Sequence, residues 1–183
     1  MRIRLLAFAF VVCLAPLAAP AQEKTENPYK KAKVGDFVAY RMTTSVMGKD
    51  IALDMKQTLS AKDDFEATLK TSITLMGNEL KSETSKVDLT KPFDPVAAVT
   101  QGNKKGKFEK TGEGKEKIKV GGKEYDCTWV GGKVVADVMG KKLESDVKIW
   151  IAKTVPLSGM VKMEIKSNLA DVKMELSDSG SAK

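Results

Sequence analysis

The stretch Phe65–Met76, FEATLKTSITLM, alternates with a period of two. Phe65, Ala67, Leu69, Thr71, Ile73 and Leu75 fall on one side; Glu66, Thr68, Lys70, Ser72 and Thr74 fall on the other. Successive side chains of a strand point to opposite faces, so this is the pattern of a strand with one buried and one wet face. The same rhythm precedes it, with Ile51, Leu53, Met55 and Leu59 set between Ala52, Asp54, Lys56 and Thr58. Gly48-Lys49-Asp50 reads as a tight turn ahead of that run. Asp63-Asp64 reads as a turn in which aspartate favours hydrogen bonds to nearby backbone. Gly77-Asn78 reads as a hairpin turn into a return strand over Glu79–Leu89. With β-branched and aromatic residues over Val34–Met47, the first half is predicted to be a four-strand antiparallel meander.

The pattern breaks at Lys91-Pro92-Phe93-Asp94-Pro95, where two prolines argue against a central strand. Val96–Thr100 reads as a helical turn. Glycine, lysine and glutamate dominate Gln101–Lys117, so a mobile excursion is expected over about 91–117. Ile118 and Val120 then lead to Gly121-Gly122. Tyr125, Cys127 and Trp129 share one face of the next strand. Gly131-Gly132 leads to Val134, Ala136 and Val138, and Gly140-Lys141 to Val147, Ile149 and Ile151. A linker holding Pro156 precedes Val161, Met163 and Ile165, and then Val172, Met174 and Leu176. Trp150 has the opposite parity from Ile149 and Ile151. That places it on the convex side, over a strand junction, or against a lid formed by Pro92–Lys117.

About nine or ten strands joined by tight turns, each with one greasy face, make an open twisted sheet that must hide that face. No apolar stripe at helical spacing runs beyond two turns, so little helix is expected to cover it. The predicted fold is therefore mainly β: a single curved antiparallel sheet, a half-barrel or open barrel.

The ends of the chain carry other information. Arg2 and Arg4 precede an apolar run from Leu5 to Leu17, and Ala19-Pro20-Ala21 supplies small residues for cleavage. This is the layout of a secretory signal peptide over 1–21. Residues 22–33 read as a flexible polar arm, 34–177 as one β domain, and 178–183 as a frayed tail. The expected location is periplasmic or secreted. Removing Arg2 and Arg4 takes the formal charge from +7 to +5 and leaves Arg41 as the sole arginine. Lysines alternate with acids along the segments, which is a solvated face and not the arginine-and-aromatic cluster of a nucleic-acid site. A weak contact with an anionic envelope surface is the residual electrostatic expectation. Past the signal only Cys127 remains, so no internal disulfide can form; it reads as a small buried hydrophobe.

The chain has no histidine. That removes the commonest general base near neutrality, the histidine triads and the His-containing zinc sites. No GxSxG, P-loop or GxGxxG is present, and GKFEKTGEGKEK lacks the ending of a phosphate loop. No catalytic residue, metal ligand or cofactor is assigned, and the chain is read as a non-enzyme. Methionine is the informative excess, with eight beyond Met1. Its flexible thioether adapts to irregular apolar shapes, in cores and at binding surfaces alike. The candidate apolar-ligand residues on the inner face are Leu53, Met55, Leu69, Ile73, Trp129, Val161, Met163 and Met174.

The segments KIWIAKTVPLSGMVKMEI (148–165) and DVKMELSDSG (171–180) resemble the C-terminal pattern of uncharacterised secreted β-rich proteins of bacteria such as planctomycetes. VGDFVAYRM and GKEYDCTWV are similar to the same group. That group is loosely similar to periplasmic lipoprotein carriers, which implies a curved half-barrel holding acyl chains. It implies no catalytic residues. The expected function is an exported protein that binds a lipid or acyl chain on a concave face. The alternative is an envelope structural or interaction protein with a filled core and no ligand.

Overall fold

The computed structural model describes residues 26–46, 48–95, 107–138 and 141–181, and in it the alternating segments form nine strands. They are β1 (Phe37–Val46), β2 (Lys49–Lys62), β3 (Glu66–Leu75), β4 (Asn78–Asp88), β5 (Lys107–Val120), β6 (Lys123–Val138), β7 (Lys141–Ile151), β8 (Met160–Ser167) and β9 (Asp171–Gly180). All belong to one curved, open sheet in the order β4-β3-β2-β1-β9-β8-β7-β6-β5. Two meanders, β1–β4 and β5–β9, are joined by antiparallel pairing of the first strand of one with the last of the other. The predicted mainly-β class and the single antiparallel sheet are what the chain adopts. Edge strand β4 is exposed along nearly all its length and interleaves Lys81, Glu83 and Lys86, which discourages pairing with another chain.

Several boundaries differ from the sequence reading. The β3–β4 turn is Met76-Gly77, one residue earlier than Gly77-Asn78, because both residues take left-handed φ (51° and 83°) as a two-residue hairpin turn requires. Gly131-Gly132 is not a turn: β6 runs straight through it. The glycines are there to admit aromatic rings. A Cβ on Gly132 would lie 2.2 Å from Phe108 Cζ and 2.6 Å from the Glu109 carbonyl oxygen. The glycine-rich run from Lys107 onward is not an excursion either. It is β5, paired with β6 from Lys107↔Val135 to Val120↔Lys123. Gly112 and Gly114 lie under the Trp129 indole, whose apolar surface substitutes for the side chains they lack.

The arm, expected to be flexible, is anchored from Asn27 on. Asn27 donates to the carbonyls of Asp88 and Lys91 (both 3.2 Å) and caps a 3₁₀ turn over Pro28–Lys30 that buries Tyr29. The tail expected to fray from 178 stays paired to β1 through Gly180. Phe65 precedes β3 and is exposed, while Asp63 does accept from the Phe65 and Glu66 amides (2.8 and 2.7 Å) as the turn reading requires. The signal segment, the Val96–Thr100 turn and the remainder of the excursion lie outside the described residues.

Gly132→Ala is expected to lose about 1–3 kcal/mol by overpacking. Adding Phe108→Ala should recover only part of it, since the Glu109 carbonyl remains in the way; urea denaturation of both variants checks this.

Trp150 lies on the outer face, directly opposite Trp129 on β6. The Lys148 ammonium sits between them, 4.4 Å from the Trp129 ring and 4.5 Å from the Trp150 ring; Lys162 lies 4.9 Å from Trp150. The indole Nε1 of Trp150 donates to Glu116 Oε2 at 3.0 Å, and Lys148 reaches the same oxygen at 3.1 Å. Those two donors hold the Glu116 carboxyl below its ordinary 4.5. A depressed carboxylate stabilises the fold above its unfolded pKa, and that contribution disappears as pH falls through the folded value. Wild type should therefore lose stability from about pH 4.5 downward more steeply than Glu116→Gln, measured by thermal denaturation across pH 3–6.

Candidate apolar-ligand cavity

The inner face follows from register. Met42 on β1 faces Met174 on β9, and Met174 faces Met163 on β8, which faces Ile149 on β7. Three methionines thus stand side by side on three adjacent strands, with Cβ atoms about 5 Å apart. One residue pair higher, Tyr40 lies between Met55 on β2 and Leu176 on β9. Unbranched, flexible thioethers adapt their shape to the space beside them. A cavity of about 290 Å³ lies above the methionine row.

Five methionines line it: Met42, Met55, Met160, Met163 and Met174. Ile149 and Ile151 form one wall, and Tyr29, Phe93 and Pro95 close the end where the longer connections gather. Tyr29 and Phe93 meet edge to face, with ring centroids 5.8 Å apart. Asn27 holds the two closing segments together, since it caps the turn bearing Tyr29 and bonds to the chain just before Phe93. The third connection, 152–159, buries Val155 and Leu157 and brings Ser158 to the cavity. That gives the Pro156 linker its purpose: it is a plug folded back into the sheet, with Leu157 in a left-handed conformation to make the turn.

Polar groups are few. The Tyr40 hydroxyl donates to the Met160 carbonyl at 3.2 Å and lies 3.5 Å from Ser158 Oγ. Gln57 Nε2 donates to Thr71 at 3.3 Å. Burial pushes Tyr29 up to about 12, against a smaller opposing effect of Ser158, and raises Tyr40 further still. Both phenols are therefore neutral at any physiological pH. Among the described residues no Asp, Glu, Lys or Arg lines the cavity. Cys127 is buried away from it; desolvation, then Asp126 and Glu116, raise its thiol, which disfavours the reactive thiolate. Among the described residues no group of three or more His, Cys, Asp or Glu side chains could hold a metal ion.

Of the residues singled out from sequence, Met55, Met163 and Met174 line the cavity. Leu53, Leu69 and Ile73 share its face through their pairing with Met42, Leu59 and Met55, but lie outside the lining. Val161 is fully buried in the sheet. Trp129 is on the outer face, where its pairing with Trp150 puts it back to back with Val130 and Ile149. Tyr40, Met42 and Met160 were missed although the alternation could have supplied Tyr40 and Met42. Tyr29 and Phe93 carried no periodic signal, because they reach the cavity from irregular segments.

No protein-family model and no curated protein matches the chain. Among the solved structures that match its fold are two bacterial proteins. One is a Bacteroides fragilis protein provisionally described as exported and having a YmcC-like fold, with a TM-score of 0.56 at 12% identity over 82% of this chain and 97% of that one. The other is a Parabacteroides distasonis protein provisionally described as a lipoprotein, with a TM-score of 0.54 at 12% identity over 81% of this chain and 96% of that one. At that identity the likeness extends to the fold: the open antiparallel sheet with a YmcC-like course is the architecture this chain is similar to.

Proposed function

We propose that the chain is an exported, non-enzymatic protein that binds an apolar chain, an acyl tail or similar, in the inner-face cavity. The observation that carries this reading is the lining itself: five methionines with aromatic and aliphatic neighbours around about 290 Å³. At ~30 Å³ for a water-sized group, that is room for roughly ten methylenes. Gln57 and Ser158 offer hydrogen-bonding partners for a carbonyl or hydroxyl at one end of such a ligand. The Ser158 hydroxyl has the neutral Tyr40 and Tyr29 phenols and the Met160 amide beside it, with no base among the described residues to activate it, which favours holding a ligand over reacting with it. Export is supported by the Arg2/Arg4 leader pattern and by the descriptions of the two fold relatives.

Native mass spectrometry of protein purified from its own envelope tests the reading. The expected result is a co-purifying apolar molecule, released by organic extraction and replaced by added decanoate. A clean unliganded mass, together with no uptake of a fluorescent fatty acid, would overturn it.

A further inference from the structure

The strand registers put four hairpin turns at one end of the sheet: β1–β2, β3–β4, β6–β7 and β8–β9. The connections that close the cavity, 26–36, 89–95 and 152–159, lie at the other end. Six large apolar side chains are strongly exposed among the described residues, and four of them belong to the hairpin end: Ile51 (50%), Met76 (93%), Leu80 (58%) and Leu169 (64%). Met76 occupies a turn position of positive φ, where asparagine or glycine is the ordinary choice. Nothing in the fold requires a long apolar side chain there. It gains an explanation if the tip is buried in something else.

We propose that this end is a bilayer-contact surface, with the tips of β1–β2, β3–β4 and β8–β9 inserting shallowly into lipid. These hairpins are consecutive along the sheet, so their tips stand in a row at intervals of about 10 Å, two strand spacings. A row of separate apolar tips suits a lipid interface better than the contiguous core of a protein interface. Each hairpin also carries an exposed lysine, Lys49, Lys81 or Lys166, whose stem can lie along acyl chains while its ammonium meets a phosphate. Asp50, Glu79 and Asp171 lie on the same three hairpins, so these tips are close to charge balance and apolar insertion provides most of the contact. The inner face is continuous from this end to the cavity. Ile51, Thr44, Val172 and Ile165 are cross-strand neighbours in one row, below the row of Met42, Met174 and Met163. A lipid tail leaving the bilayer would thus meet a mainly apolar path, with Thr44 the one hydroxyl in that row. This rests on the apolar-ligand reading for its purpose, naming membrane lipid as the source, but the contact itself is tested separately.

The experiment is flotation of the exported, processed protein with phosphatidylcholine vesicles and with vesicles containing phosphatidylglycerol. Both should carry the protein upward. Met76→Asp with Leu169→Asp should weaken binding at least about tenfold, since both tips lose their burial in lipid. Phe65→Asp at the opposite end should change nothing, and soluble decanoate should bind all three proteins equally. Circular dichroism of the exposed-site variants controls for folding. Failure of decanoate binding with intact, tip-dependent flotation would remove the ligand reading and leave the membrane contact standing. Absence of flotation with both vesicle types would overturn the inference. So would flotation that half-molar salt abolishes and the tip substitutions leave unchanged. A larger protein complex that depends on Met76 and Leu169, without flotation, would overturn it in favour of a protein contact.

Discussion

Replacing Trp150 with alanine is expected to lower folding stability by about 3–5 kcal/mol, the range for deleting a buried indole. The side chain is 4% exposed and does three things at once. It covers the β7 backbone on the outer face, it pairs across the strands with Trp129, and it donates to Glu116. Its loss leaves Glu116 with one donor and Lys148 with one ring. For a domain of this size the change corresponds to a fall in Tm of about 6–20 °C. Trp150→Phe should recover most of the loss, because it keeps the ring and gives up only the hydrogen bond. Urea denaturation followed by circular dichroism checks both, and a cost below about 1 kcal/mol for the alanine variant would show that the outer aromatic pair is decoration and not core.

The second large effect concerns ligand length. If an alkyl chain lies in the cavity, each methylene adds about 0.8 kcal/mol, close to fourfold in affinity, for as long as it is buried. With room for roughly ten methylene-sized groups, the increment should fall sharply near ten carbons. Met42→Trp puts an indole where a half-buried thioether now lines the space. It should move that break to shorter chains and weaken decanoate binding by about 200-fold, equivalent to about four excluded methylenes. Titration calorimetry over a series of fatty acids measures this directly. Affinity independent of chain length, or unchanged in the variant, would place the binding elsewhere.

Most of the sheet was legible in the alternation. Phe65–Met76 announces β3 because each apolar residue from Ala67 to Ile73 has a polar neighbour, and register follows once one face must be buried. What misled was glycine. Gly121-Gly122 is a turn and Gly131-Gly132 is not, though the two dipeptides look alike. The difference lies in two rings that need the flat surface: Trp129, two residues away on the same strand, and Phe108, brought over Gly132 by pairing of the distant β5. The same cause hid β5. Its run of glycine, lysine and glutamate has little β propensity, and its pairing with β6 and the cover from Trp129 sustain it instead. The candidate site was legible to the extent that it lies on strands. Met55, Met163 and Met174 follow from parity, whereas Tyr29, Phe93 and Ser158 enter from connections whose course no periodicity reports. Trp129 was assigned to the inner face with the methionines; the β6–β7 register puts it on the other side.

In the proposed function, the methionine-lined space inside the sheet receives an apolar chain. Carbon-13 methyl spectra of the methionines during titration with decanoate test it most directly. The expected result is saturable shifts of the Met42, Met55, Met160, Met163 and Met174 methyls with Met76 unmoved, since Met76 stands at the far hairpin tip. Unmoved cavity methyls at saturating decanoate, or a shift confined to Met76, would contradict it.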